Sequence, residues 1–138
     1  AKGISSKVKK IGSSERKALH VAAVFASNFT NHMLLHAQSV MKQNGLDYEW
    51  LKPLIIETIQ KNLALGAEAS QTGPARRGDL QILDSHLEFL SENEEVAELY
   101  RVISQDILNH YHPGNWKRFR LAYNWGIPFV ILWFHQSR

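Results

Sequence analysis

Apolar residues recur at the helical period in four stretches, and glycine or proline separates them. Between about 14 and 44, Ala22, Phe25, Ala26, Phe29, Met33, Ala37, Val40 and Met41 fall on one side of a helix. Ser13 or Ser14 suits its N-cap, Glu15 suits the positive helix start, and Gly45 suits the position after its end. A second helix is expected after Asp47, with Leu51, Leu54, Ile55, Thr58, Ile59 and Leu63 as its buried stripe and Gly66 as its stop. Pro53 fits that helix in its first turn or at a kink. A loop over 67–78 follows. A third helix, about 79–91, carries Leu80, Leu83, Leu87 and Leu90 on one face. A fourth, about 94–112, carries Val96, Leu99, Tyr100, Ile103, Ile107 and Tyr111, and Ser91-Glu92-Asn93-Glu94 before it has capping-box spacing. Pro113-Gly114 ends it. The expectation is an all-α domain, a bundle centred on four helices over 13–113.

The two ends do not fit that pattern. Ala1 to Ser5 read as the end of a helix, and Lys7-Val8-Lys9-Lys10-Ile11 as a short strand with no partner nearby. A lone strand is not stable, so residues 1–12 point to a sheet upstream of this stretch. Residues 114–138 hold seven aromatics, from Trp116 to Phe134, with basic residues among them. Three readings of this tail stay open: an anchor at a membrane interface, a segment docked on the bundle, or residues outside the evolved domain, such as translation past a frameshift.

Charge sharpens the division. Residues 1–17 carry six basic residues against Glu15, and 114–138 carry four with no acid. The middle, 18–113, has 6 basic and 12 acidic residues, a net of −6. The basicity belongs to the ends, which argues against a nucleic-acid partner for the folded unit. No apolar stretch reaches the roughly 18 residues that a membrane helix needs, so a membrane partner is not expected. Ala1 to Gly12 shows no apolar core of a signal peptide. The chain has no cysteine, which removes disulfides, thiolate zinc sites and a cysteine nucleophile, and is compatible with the expected cytoplasmic location.

Chemistry concentrates in two places. The octapeptide Thr72-Gly73-Pro74-Ala75-Arg76-Arg77-Gly78-Asp79 combines glycines that tolerate positive φ, a stiffening proline and two guanidinium forks suited to phosphate or carboxylate. Ordinary loop punctuation explains the same glycines, proline and acid. On the first helix His20, Ser27 and Asn31 are spaced by seven and four residues, which sets them along one stripe with Val24 between them and Asn28 beside it. That stripe faces either water or a ligand. His20 is its one obvious proton-transfer group and the candidate catalytic residue. His32 and His36 stand at i, i+4, but no acid lies within one turn to complete a metal site, and none is expected. The sequence holds no G-x-G-x-x-G, no P-loop and no G-x-S-x-G.

The run Ala18-Leu19-His20-Val21-Ala22-Ala23-Val24-Phe25-Ala26-Ser27-Asn28, with Thr72-Gly73-Pro74 and Arg77-Gly78-Asp79, resembles the helical C-terminal domain of Rossmann-type, NADP-dependent oxidoreductase-like proteins. That domain is catalogued as one of unknown function and is similar to the C-terminal helical domains of 6-phosphogluconate dehydrogenase-like enzymes. The Asn28-Phe29-Thr30-Asn31-His32-Met33 stretch carries the same likeness, which covers about 1–113. It implies that residues 1–12 are the remnant of a Rossmann domain whose nucleotide fingerprint lies upstream. NADP(H) would then bind mainly to that missing domain. The helical domain would close the cleft, supply contacts to a small anionic substrate and build a homodimer. By the same resemblance His20, Ser27, Asn28 and Asn31 face the cleft, and Thr72, Gly73, Arg77 and Asp79 form a loop at its edge. Arg77 would meet an anionic group, and Asp79 would pair with Arg77 or cap the third helix. One departure stands out. Related hydroxyacid dehydrogenases place a catalytic lysine one turn before an asparagine, whereas Ser27 and Val24 precede Asn31 and Asn28 here. Beta-hydroxyacid oxidation by that mechanism is therefore not expected, and with the nucleotide fingerprint upstream the chain alone is expected to lack redox turnover. The reading from a different class is a helical protein-interaction module.

Overall fold

A computed structural model describes residues 12–114; the expected strand, the helix end before it and the aromatic tail lie outside the described residues. Among the described residues the fold is all-α, with no strand. The elements are α1 (Ser13–Ala23), a π-helical turn (Val24–Phe29), α2 (Thr30–Gln43), a 3₁₀ turn (Tyr48–Leu51) and α3 (Lys52–Leu65). Two one-turn helices follow, α4 (Ala67–Ser70) and α5 (Pro74–Arg77), then α6 (Leu80–Phe89) and α7 (Glu94–Tyr111). The chain divides into two compact units, one up to Glu57 and one from Thr58 onward.

In the first unit α1, the π turn and α2 form one continuous helical rod. Neither serine caps it. Gly12 is the N-cap, and Glu15 reaches back so that its Oε2 accepts the Gly12 N–H at 2.7 Å. The rod ends as its glycine foretells. Gly45, at φ +66°, donates to the Lys42 carbonyl, and Leu46 donates to Met41 at 2.9 Å, a Schellman closure. Asp47 then caps the 3₁₀ turn by accepting from the Glu49 N–H. Pro53 falls in the first turn of α3, where its missing donor costs nothing.

The second unit holds the described core. Ala75, Leu83, Leu87 and Leu108 are buried, and Leu80, Ala97, Tyr100 and Ile107 pack around them, so α5, α6 and α7 meet there. Leu83 has no exposed surface, and its burial contributes about 2–3 kcal/mol. α7 starts at Glu94, where its pattern places it, and its cap is Asn93 rather than Ser91: the Asn93 side chain accepts from the Val96 N–H.

The expected apolar stripe of the second helix is a correction. Ile59 and Leu63 are 46 % and 82 % exposed, and Leu54 is also open. On the first helix Phe25 and Phe29 are exposed, while Met33, Ala37, Val40 and Met41 are half-buried. The period was right for a helix, but period alone does not say which apolar faces find cover. Residues 67–78 also differ from a plain loop, because they contain α4 and α5.

Candidate functional site

The octapeptide of the second unit is a one-turn helix held between two glycines. Gly73 has φ +101° and ψ 174°, a conformation open essentially to glycine, and it starts α5 with Pro74 at the first helical position. Gly78, at φ +71°, ends the turn in the left-handed region. Its N–H donates to Ala75, and the Asp79 N–H donates to Pro74 at 2.9 Å. Asp79 then caps α6 by accepting from the Ile82 N–H at 3.3 Å, which is the capping role among the two expected of it. Ala75 points into the core and pins the turn from below. Thr72, Arg76 and Arg77 are exposed, and Gly73 is half-buried.

The end of α7 holds this turn from a distance in sequence. His112 Nε2 donates to the Arg76 carbonyl at 2.9 Å and lies 3.3 Å from the position a Cβ on Gly78 would take. The Arg76 guanidinium sits 4.2 Å over the Tyr111 ring. Tyr111 Oη donates to the Glu68 carbonyl at 3.0 Å, and His110 approaches the Glu68 carboxylate at 3.8 Å. Arg76 is thus occupied with an aromatic face, which leaves Arg77 as the arginine of this turn with no such contact described. The sequence reading missed Tyr111 and His112 as supports of the turn. The only signal was their place beside the Pro113-Gly114 stop.

Nearby, a polar cluster sits beside the core. Tyr100 Oη lies 2.7 Å from His86 Nδ1. Partial burial raises the Tyr100 phenol, and a hydrogen bond with Ser104 pulls the other way. The 2.7 Å separation fits a phenol hydroxyl that donates to His86 Nδ1. Arg101 holds the Glu98 carboxyl below the usual carboxylate range through a two-pronged bond, with Nε to Oε2 at 2.8 Å.

The other expected group lies wholly in the first unit. His20 is in the last turn of α1, Ser27 and Asn28 are in the π turn, and Asn31 is in the first turn of α2; all four are exposed. The π turn changes the stripe drawn from sequence. Its i→i+5 bonding under-winds the helix, so the single line that a pure α-helix would set through His20, Ser27 and Asn31 does not hold across it. Thr30 Oγ1 donates to the Phe25 carbonyl five residues back and closes the widened turn. Phe25 and Phe29 stack edge to face at 5.0 Å on its outside. Among the described residues no cluster of three or more metal-ligating side chains occurs.

Among the described residues, an all-helical fold with a π-interrupted first helix and a glycine-flanked arginine turn sets the class as all-α. The chain belongs to the family described as Domain of unknown function (DUF2520), whose model matches residues 1–107. It is also similar to the crystal structure of a protein from Bacteroides fragilis titled "putative NADP oxidoreductase", at 39% identity and a TM-score of 0.70 over 72% of this chain. The chain spans 38% of the length of that protein. None of the curated proteins matches it. The all-α fold agrees with these likenesses. No helix among the described residues is long and apolar enough to cross a membrane.

Proposed function

We propose that this chain is the substrate-cleft and dimerisation domain of an NADP-dependent oxidoreductase. The observation that carries the reading is the 39% identity to the Bacteroides fragilis protein, of which this chain matches a part. In this reading NADP(H) is held mainly by residues outside 12–114, and the helical domain contributes contacts to a small anionic substrate. Ser27 and Asn28 offer a hydroxyl and an amide from a π turn, an irregularity frequent at functional sites. His20 is the candidate of that stripe for moving a proton, and Asn31 adds a second amide. In the other unit Arg77 supplies a fork for carboxylate or phosphate, with Thr72, Gly73 and Asp79 shaping the turn that presents it. The compartment that suits this chemistry is the cytoplasm, and no nucleic-acid or membrane partner enters the reading.

The dimer rests on exposed apolar residues of the first unit, of which Leu19, Phe25, Phe29 and Trp50 are 49–67% exposed. Sedimentation equilibrium of the full chain tests it. A mass of two chains at micromolar concentration, lost on Phe25→Ser and Phe29→Ser together, supports it; a monomer at millimolar concentration overturns it. The same exposed residues favour the second reading, an interaction module with no enzymatic role. A soluble anion screen separates the two: saturable binding lost in Arg77→Ala favours the cleft, and its absence with a retained protein partner favours the module.

A further inference from the structure

On α2 the rings of His32 and His36 face each other one helical turn apart. Their Nε2 atoms are 3.1 Å apart, and the rings meet edge to face with centroids at 4.6 Å. His32 is exposed and His36 half-buried, and neither belongs to the groups assigned to the cleft. The separation is that of two donors on one metal ion. With metal–nitrogen bonds of about 2.0–2.1 Å, a tetrahedral ion sets its nitrogens about 3.3–3.4 Å apart, and a square-planar ion sets neighbouring ones about 2.9 Å apart. The observed 3.1 Å falls between the two.

We propose that His32 and His36 form a two-donor chelate for a divalent transition-metal cation of the copper, nickel or zinc kind. The helix supplies the preorganisation. An i, i+4 pair lies on one face with side chains one above the other, so a second imidazole binds with little further loss of freedom. The empty pair requires that one Nε2 carry a proton and the other accept it. Binding asks that the donor ring move its proton to Nδ1, which frees both Nε2 lone pairs without releasing a net proton. Water fills the remaining coordination positions, as in open metal sites, so the carboxylate missing from this turn is not needed for binding. Imidazole donors select against Mg²⁺ and Ca²⁺, which prefer oxygen.

The test is calorimetric titration of the full chain with Ni²⁺, Cu²⁺, Zn²⁺ and Mg²⁺ in a non-chelating buffer. The proposal expects one saturable site, tightest for Cu²⁺ and absent for Mg²⁺. His32→Ala and His36→Ala each weaken Ni²⁺ binding at least about 10-fold, since each leaves a single imidazole. His110→Ala, which removes the imidazole near Glu68, leaves that site unchanged. His36→Gln serves as a second variant, and a retained helical circular-dichroism signal shows that both fold. Equal Ni²⁺ affinity in wild type and His32→Ala overturns the proposal, as does a loss in His110→Ala as large as that in His32→Ala. Failure of wild type to bind Ni²⁺ at millimolar concentration overturns it too.

Discussion

Replacing Gly78 with alanine perturbs the arginine turn in two separable ways. The residue sits at φ +71°, where an L side chain costs about 1–2 kcal/mol. The new Cβ also stands 3.3 Å from His112 Nε2 and 3.4 Å from its Cε1, so the imidazole must give by a few tenths of an ångström. That movement loosens the 2.9 Å bond to the Arg76 carbonyl, whose net worth is about 0.5–1.5 kcal/mol. The expected destabilisation is therefore about 1.5–3 kcal/mol, with the steric part shared with His112. A double-mutant cycle isolates that share. His112→Ala alone costs about 1 kcal/mol, and the double variant costs less than the two single costs added, by about 0.5–1 kcal/mol. Urea unfolding followed by circular dichroism at 222 nm reads all four proteins, and equal m-values license the comparison. Additivity within about 0.3 kcal/mol would show that His112 does not brace the turn. A Gly78→Ala cost below about 0.5 kcal/mol would refute the left-handed strain as well.

Other substitutions test the rest of the account. Leu83→Ala, at a position with no exposed surface, loses about 2–5 kcal/mol in the same urea assay; a loss under about 1 kcal/mol would mean that α6 is not the centre of the core. Asn93→Ala removes the α7 cap and costs about 1 kcal/mol, whereas Ser91→Ala is nearly silent; the reverse order would restore Ser91 as the cap. Because Arg101 lowers the Glu98 carboxyl, the pair stabilises the fold above the ordinary glutamate range, and the contribution is lost as pH falls through the lowered folded value. The Glu98 side chain is 52% exposed, so solvent screening holds the effect to about 0.5 kcal/mol, and Glu98→Gln should remove that acid-side dependence from melting curves. Partial burial raises Tyr100, so its contribution is present below about pH 10 and fades as pH rises through its folded value; Tyr100→Phe should flatten the alkaline limb.

Much of the fold is legible from local pattern. Gly45, Gly66 and Pro113-Gly114 end helices where they should, because positive φ and missing donors act on the chain locally. Leu80, Leu83 and Leu87 pack at the core their spacing implies. The π turn was not legible: Val24 to Phe29 keep an ordinary apolar period, and only the Thr30 hydroxyl, five residues after Phe25, closes the wider ring. α7 starts at Glu94 as its pattern implies, but Asn93 and not Ser91 caps it, because two polar residues competed for one cap. The exposure of Ile59 and Leu63 escaped the pattern because amphipathicity names a face and not its cover. The two glycines of the arginine turn announced their positive φ, but the grip of Tyr111 and His112 spans 36 to 43 residues of chain and leaves no local signature. His32 and His36 were visible as a spaced pair, and only their 3.1 Å approach suggests a use.

The central claim is that this helical domain serves an NADP-dependent oxidoreductase whose cofactor is held mainly by other residues. Titrating the chain with NADPH and following nicotinamide fluorescence tests it most directly. The account predicts no saturable change up to about 100 μM, equivalent to binding weaker than about −5.5 kcal/mol. A saturable enhancement with a dissociation constant of about 1–10 μM would contradict it, since it would place a working cofactor site within these 138 residues.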